Sequence, residues 1–258
     1  MNEIMKNTLL RAIHQGADIL QHYFEGSFEI QSKESLNNLV TEVDKKSEDA
    51  IIEIIRSDFP EHFILSEEVG ELSTGSNYKW IIDPIDGTVN FAHGIPICCI
   101  SIGLEVDGII EMGAVFNPFM RELFFAEKGK GAFLNNKPLQ VSQNQNIESA
   151  CLVTGFPYKW ASIDIDPIPV FERFIRKGLP VRRLGSAALD LCWVAAGRFD
   201  GFWEYNLNPW DIAAGYLIVE EAGGRISNFK GEPYSVYHKE TLATNGKIHE
   251  QMLELIRQ

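Results

Sequence analysis

The sequence is short of cysteine, of cationic side chains and of long apolar runs, and each shortage closes off a class of protein. Four cysteines occur in 258 residues: Cys98, Cys99, Cys151 and Cys192. None belongs to a C-x-x-C pair or to the spacing of a zinc site, so neither a disulfide framework nor a metal knuckle organises the chain. Cys98 and Cys99 are adjacent in an apolar run, where strand geometry sends their side chains to opposite faces. They read as small buried hydrophobes, and the cysteine usage leads to an expectation of a reducing, cytoplasmic setting. Lys and Arg number 23 against 36 Asp and Glu, a net charge of −13. Nucleic acids and anionic bilayers are held chiefly by Lys and Arg, so neither is expected as a partner. No stretch approaches the ~18 apolar residues of a membrane span, and the N-terminal MNEIMKNTLLRAIHQG has no apolar leader core. Internal repeats and low-complexity segments are also lacking.

What is present is ordinary globular composition, 45% apolar and 23% charged. Met5, Leu9, Ile13, Ala17, Leu20 and Phe24 recur at helical spacing and predict an amphipathic helix from about residue 3 to Gly26. His14, Asp18 and His22 fall on its polar face. A short strand, Phe28 to Ser32, leads to a polar loop and a second helix opened by Thr41 and stopped by Pro60. Phe63 to Leu65 and Tyr78 to Ile82 read as strands, with a charged loop between them. From Ile97 to Leu139 the pattern is antiparallel, with an Asp107-Gly108 hairpin, strands at 123–127 and 131–134, and an Asn135-Asn136 turn. The second half alternates: strands at 150–154, 180–183 and 201–205, and helices near 167–177, 186–197 and 209–222. The last of these ends at Gly223-Gly224. A short strand, a strand near 241–243 and a C-terminal helix complete the chain. The polar stretch Ser142 to Glu148 suggests a boundary. Residues 1–145 then form an antiparallel-rich α+β half, and residues 146–258 an α/β half.

The chemistry concentrates in Trp80-Ile81-Ile82-Asp83-Pro84-Ile85-Asp86-Gly87-Thr88. An apolar strand delivers two carboxylates three residues apart; Pro84 fixes one backbone angle and Gly87 permits a sharp turn. Asp83, Asp86 and the Ile85 carbonyl can converge on one point, as a hard divalent cation requires. The spacing is D-x-x-D, one residue longer than the D-x-D-G-T string of phosphatases that form an aspartyl phosphate, which argues against a covalent intermediate. Three further acids each admit two readings. Glu67, with Glu68, is either a solvated loop acid or a ligand. Asp44 is either a capping partner of Thr41 or part of a site. Asp211, in Asn208-Pro209-Trp210-Asp211, occupies the N3 position of a helix and is either a cap or a ligand.

Taken together, these segments resemble the inositol monophosphatase family of lithium-sensitive, Mg²⁺-dependent sugar phosphatases. The resemblance runs through LVTEVDKKSE (39–48), SEEVG (66–70), WIIDPIDGTVNFAHGIP (80–96), TGFPY (154–158), RRLGSAALDLCWVAAGRFDGFWE (182–204) and NPWDIAAGYLIVEEAGG (208–224). Asn38 and Val89 depart from residues usual in the family. The resemblance implies a layered αβαβα sandwich and a cytoplasmic homodimer. It also implies two to three Mg²⁺ ions. Glu67, Asp83 and the Ile85 carbonyl would hold one ion and Asp83, Asp86 and Asp211 a second, with Glu67 reaching a third. Asp44 and Thr88, with Glu67, would serve the catalytic water. The Gly87 and Thr88 backbone would meet phosphate, and Glu204 with Gly185-Ser186-Ala187 would meet substrate hydroxyls. Lys33, Arg182 and Arg183 are weaker candidates, and His93 reads as a structural loop histidine. The implied activity is hydrolysis of myo-inositol 1-phosphate or a similar small phosphate monoester. Alternatives on the same fold are fructose 1,6-bisphosphatase or histidinol-phosphatase activity, or a non-catalytic regulatory protein. Val89-Asn90 after DGT argues against the bisphosphonucleotide branch, where Lys-Glu is usual.

Overall fold

The computed structural model describes residues 2–24, 26, 30–32, 39–157 and 166–258. The first amphipathic pattern becomes α1 (Asn2–Tyr23), and the second becomes α2 (Glu42–Asp58) behind a short ribbon of β1 (Ile30–Ser32) and β2 (Leu39–Thr41). Met5, Leu9, Ile13 and Leu20 of α1 and Val43, Ile51 and Ile55 of α2 share one apolar cluster with Trp80, Ile82, Ile100 and Ile102. The two helices therefore cover one face of an eight-stranded sheet.

That sheet contains β3 (Phe63–Ser66), β4 (Gly70–Leu72), β5 (Tyr78–Asp86), β6 (Cys99–Val106), β7 (Ile109–Asn117), β8 (Glu122–Glu127), β9 (Ala132–Leu134) and β10 (Lys137–Pro138). Its order is β10-β9-β8-β7-β6-β5-β3-β4, antiparallel except for the parallel pair β3–β5. Strand β4 falls in a stretch that the sequence assigns to a loop. Both two-residue hairpins form with left-handed backbone at the expected positions, Asp107 and Gly108 (φ 50° and 80°) and Asn135 and Asn136 (φ 48° and 64°).

The remaining elements are β11 (Leu152–Thr154), α4 (Ile168–Arg176), β12 (Val181–Arg182), α5 (Ala187–Ala195), β13 (Gly201–Tyr205), α6 (Pro209–Glu221), β14 (Arg225–Ser227), β15 (Glu240–Thr244) and α7 (His249–Arg257); a short α3 (Thr88–Ala92) follows β5. The five-stranded sheet runs β12-β11-β13-β15-β14, with β11 parallel to both neighbours and β15 antiparallel to both of its own. Almost all of α5 and the core of α6 are apolar and buried, because both helices lie between the two sheets in one cluster with Ile81, Cys99, Phe124, Phe202 and Ala243. Phe174 of α4 and Met252 and Leu253 of α7 pack with Trp203 on the outer face of the small sheet. The result is the expected αβαβα stack. Strand alternation is visible at Cys98 and Cys99, both fully buried: Cys98 joins the outer cluster and Cys99 the central one.

Candidate active site

Strand β5 is the positioning device. Residues three apart on a regular strand point to opposite faces, so Asp83 and Asp86 should diverge. The ladder to β6 pairs Asp83 with Ser101 and Asp86 with Cys99, three residues against two. The extra residue is a β-bulge at Pro84-Ile85, which returns Asp86 to the side of the sheet that Asp83 faces. Proline costs no ladder bond at a bulge, which is why the strand continues beyond the Ile82 at which the sequence pattern stops. The carbonyl of Pro84 accepts from Ser47 Oγ at 3.1 Å, and the Ile85 amide donates to Asp83 Oδ1 at 3.0 Å. Gly87 then turns the chain at φ 92°, and a Cβ there would lie 2.9 Å from the Ile97 carbonyl oxygen, so both its conformation and its space exclude a side chain.

A cavity of about 300 Å³ opens where β5 ends, between the first-half sheet and the N-termini of α5 and α6. Glu67, Asp83, Asp86 and Asp211 line it together with Ile85, and Gly87 and Thr88 stand at the head of α3. Asp44, fully buried on α2, reaches the site through Thr88. The Thr88 hydroxyl lies 3.0 Å from Asp44 Oδ1 and 3.0 Å from the Ile85 carbonyl. Its single proton serves one of these acceptors at a time. Glu67 is presented by the loop after β3, and its amide donates to the Ile82 carbonyl at 3.3 Å.

The far wall comes from the second half of the chain. Gly185, Ser186, Ala187 and Glu204 all line the cavity. Ser186 donates to Asp86 Oδ2 at 2.6 Å, and the Ala188 amide donates to the same oxygen at 2.8 Å. Asp86 thereby caps α5 across 100 residues of chain. Asp211 Oδ2 accepts from the Asn208 amide at 2.7 Å, closing the N-terminal box of α6. The cap reading of Asp211 is borne out, and the residue also lines the cavity. Glu204 is seated against Gly155, where a Cβ would fall 2.1 Å from its Oε2.

Six carboxylates, those of Glu67, Asp83, Asp86, Asp190, Glu204 and Asp211, line this one cavity and repel one another. Burial, then the Glu67, Asp86, Asp211 and Asp44 charges, push Asp83 well above the usual carboxylate range. Burial, followed by Glu67 and Asp86, does the same to Asp211. Burial raises Asp86 to about 6 against the relief given by Ser186 and Ala188. Among the described residues no three His, Cys, Asp or Glu side chains close into a ready-made metal cage; like charges line the cavity without closing on each other. The donor set is nevertheless all oxygen and anionic, the chemistry that suits Mg²⁺. The nearest thiol, Cys99, lies 3.8 Å from Asp86 Oδ2, and burial raises its pKa and keeps it protonated.

Arg183 lines the cavity, whereas Arg182 is exposed and donates to the Val181 carbonyl. His93 packs its Nδ1 2.8 Å from the Val89 carbonyl at the exposed end of α3. Lys33 and Asn38 lie outside the described residues, as does Tyr158 of the TGFPY segment; Gly155, Phe156 and Pro157 of that segment line the cavity. Two residues escaped the sequence reading. Glu48, 1% exposed, accepts from the Ser66 hydroxyl and from the amides of Glu68 (3.0 Å) and Val69 (3.3 Å), and so fastens the loop that carries Glu67. Its signal was a position one turn after Asp44 on the same helix face. Asp190, also 1% exposed, lines the cavity; its signal was a lone acid in the otherwise apolar AALDLCWVA.

The Inositol monophosphatase family model matches residues 1–258. An inositol-1-monophosphatase of Synechocystis is 46% identical over 88% of this chain and 80% of its own length. The protein named Nus factor SuhB of Pasteurella multocida is 40% identical over 98% of this chain and 96% of its own. Among solved structures, the extragenic suppressor protein SuhB of Bartonella henselae superposes with a TM-score of 0.93 at 34% identity, over 99% of both chains. The inositol monophosphatase of Anabaena gives 0.89 at 38% identity, over 100% of this chain and 97% of that one. With a carboxylate-lined cavity at the bulged end of β5, and with likeness along its whole length, the chain belongs to the inositol monophosphatase family.

Proposed function

We propose that the chain is a Mg²⁺-dependent phosphomonoesterase that hydrolyses myo-inositol 1-phosphate or a similar polyol phosphate, with water as the nucleophile. The observation that carries this reading is the bulge of β5, which turns Asp83 and Asp86 to one side, into the cavity that Glu67 and Asp211 also line. Glu67, Asp83 and the Ile85 carbonyl would hold one ion; Asp83, Asp86 and Asp211 would hold a second, and Glu67 would reach a third. Bound Mg²⁺ supplies a lowered pKa for water and neutralisation of the phosphate and of the leaving oxygen. The protein's own part is geometric. Thr88 lines the cavity, and when it donates to Asp44 its oxygen would accept a proton from the attacking water while its own proton passes to Asp44. The water oxygen bonds to phosphorus, the ester P–O bond breaks, and the polyol oxygen leaves as an alcohol on taking, through solvent water, the equivalent of the proton that Asp44 received. Gly87 and Thr88 amides meet the phosphate. Glu204 and the backbone at Gly185 to Ala187 meet the polyol, since the Ser186 hydroxyl is already given to Asp86. A cytoplasmic homodimer is part of the same proposal; the four free cysteines, three of them buried, suit a reducing compartment.

Purified protein with Mg²⁺ should release phosphate from inositol 1-phosphate and be inhibited by Li⁺. Asp86→Asn should remove most of that rate, and undiminished activity in this variant overturns the metal assignment. A second reading, as a regulatory protein, is favoured by one observation: several relatives carry the name of a factor, Nus factor SuhB, rather than of an enzyme. Absence of turnover on every sugar phosphate tried would favour it.

A further inference from the structure

Asp190 lies in the first turn of α5, 1% exposed in a helix whose other residues are apolar, and it lines the cavity. Its Oδ1 is the one buried side-chain oxygen or nitrogen among the described residues that lacks a hydrogen-bond partner. An orphaned buried carboxyl oxygen is costly, and native proteins rarely keep one without a use. Burial and then the Glu204 charge push its pKa well up, with Arg183 opposing. Because Asp190 lines the cavity, a ligand hydroxyl bound there is the partner that its orphaned oxygen lacks. Glu204 and Arg183 line the same cavity.

We propose that Asp190 is a specificity-determining residue whose unpartnered oxygen pairs with a ring hydroxyl of the substrate, adjacent to the hydroxyl met by Glu204. The site therefore discriminates polyol phosphates from esters that lack hydroxyls at that position. This inference rests on the phosphatase reading above. It assigns Asp190 no part in holding metal or in moving the water proton. In the free protein the orphan oxygen is a burden, and in the complex it is satisfied. A site built to bond a hydroxyl rejects ligands without one because its polar groups would then stay unpaired.

The test compares kcat/KM for myo-inositol 1-phosphate and for phenyl phosphate, a ring ester without hydroxyls, under saturating Mg²⁺. Asp190→Leu, nearly isosteric, should lower the inositol phosphate value about 10- to 100-fold. Phenyl phosphate hydrolysis should stay within about twofold, and the melting temperature of the free protein should hold or rise, because an unsatisfied polar group has been removed. Asp190→Asn keeps a polar oxygen and should fall between the two. If the leucine variant does not fold, the asparagine variant still reads the ratio of the two esters, which should drop by about threefold or more. An equal fall on both esters, or no change on either, overturns the proposal while leaving the phosphatase reading intact. A wild-type protein that hydrolyses neither ester overturns the phosphatase reading itself, and Asp190 with it.

Discussion

Helix α6 lies so close to the large sheet that one methyl group should separate them. Gly103 of β6 and Gly113 of β7 are paired across the ladder, and both face the Ala213-Ala214 step of α6. A Cβ at Gly113 would lie 2.8 Å from Ala214 Cα and 2.9 Å from its carbonyl oxygen; ordinary contact begins at 3.4 Å. The atoms met are backbone, so no side-chain rotation relieves the overlap, and in Gly113→Ala the helix must retreat by about 0.6 Å or more. Overpacking of this kind costs about 1–3 kcal/mol, and each kcal/mol lowers the melting temperature of a chain this size by about 2–4 °C. The consequence for the site is more specific. Asp211 sits one turn before Ala214, and the Trp210 carbonyl is tied to Ser101 of β6 at 3.2 Å. A retreat at Ala214 moves Asp211 away from Asp83 and Asp86, and a displacement approaching 1 Å at a reacting centre can cost about 10²-fold in rate. The assay is phosphate release against Mg²⁺ concentration, together with thermal unfolding. Gly75→Ala is the control: Gly75 has φ +76° and nothing within 4 Å, so it should lose about 1–2 kcal/mol from backbone strain alone with its Mg²⁺ dependence unchanged. Gly113→Ala with wild-type stability would refute the packing argument. Lost stability with an unchanged Mg²⁺ requirement and rate would refute the coupling of helix to site.

Two other perturbations separate positioning from bulk stability. Glu48→Ala removes the acceptor of the Glu68 and Val69 amides and leaves the Ser66 hydroxyl only the Ile82 carbonyl at 3.3 Å; with ~1–3 kcal/mol for a buried donor left unpaired, urea unfolding should show a loss of about 1–3 kcal/mol, and the Mg²⁺ needed for half-maximal rate should rise. Glu48→Gln, which keeps an acceptor, should be milder on both counts. His249 is fully buried, with its ring nitrogens 2.9 Å from Ser227 Oγ and 2.9 Å from Thr244 Oγ1. Burial first, then Arg225, lowers its pKa to about 4 from 6.5. Between those values the unfolded chain binds the extra proton, so this contribution is complete above pH 6.5 and is lost as the pH falls toward 4, on the order of 3 kcal/mol in all. Urea midpoints of the wild type should therefore fall more steeply over that interval than those of His249→Gln, and parallel curves would contradict the assignment.

What the sequence made legible was local. Helices with a clear apolar stripe, hairpins set by Asp107-Gly108 and Asn135-Asn136, and the Asn208 to Asp211 box follow from residues within a few positions of one another. The five-stranded sheet pairs β11 with β12 and β13 in parallel and β15 with β13 antiparallel, and no local pattern dictates those partners. Pro84 ended the strand pattern because a regular ladder cannot use it. The same proline suits the bulge, which is visible only once β6 supplies two residues against three. Glu48 and Asp190 were missed for a related reason: an acid on a helix reads as solvated until the fold shows what encloses it.

For Asp211 the cap that the structure shows does not exclude the ligand role proposed above, once the two oxygens of a carboxyl group are considered separately. Asp211 gives Oδ2 to the Asn208 amide, and Asp86 gives Oδ2 to Ser186 and Ala188. Each carboxyl carries a second oxygen that a helix cap does not require. The same two aspartates therefore pin the N-termini of α6 and α5 against the end of β5 and bring negative charge to the cavity between them. Fold and charge can still be separated by substitution. An asparagine at either position keeps one acceptor oxygen for the cap and removes the charge, so Asp86→Asn should keep α5 in place and lose its hold on a cation. The net charge of −13, which by itself disfavours an anionic substrate, is compatible with one under the proposed function: carboxylates holding Mg²⁺ would present a phosphate with cations.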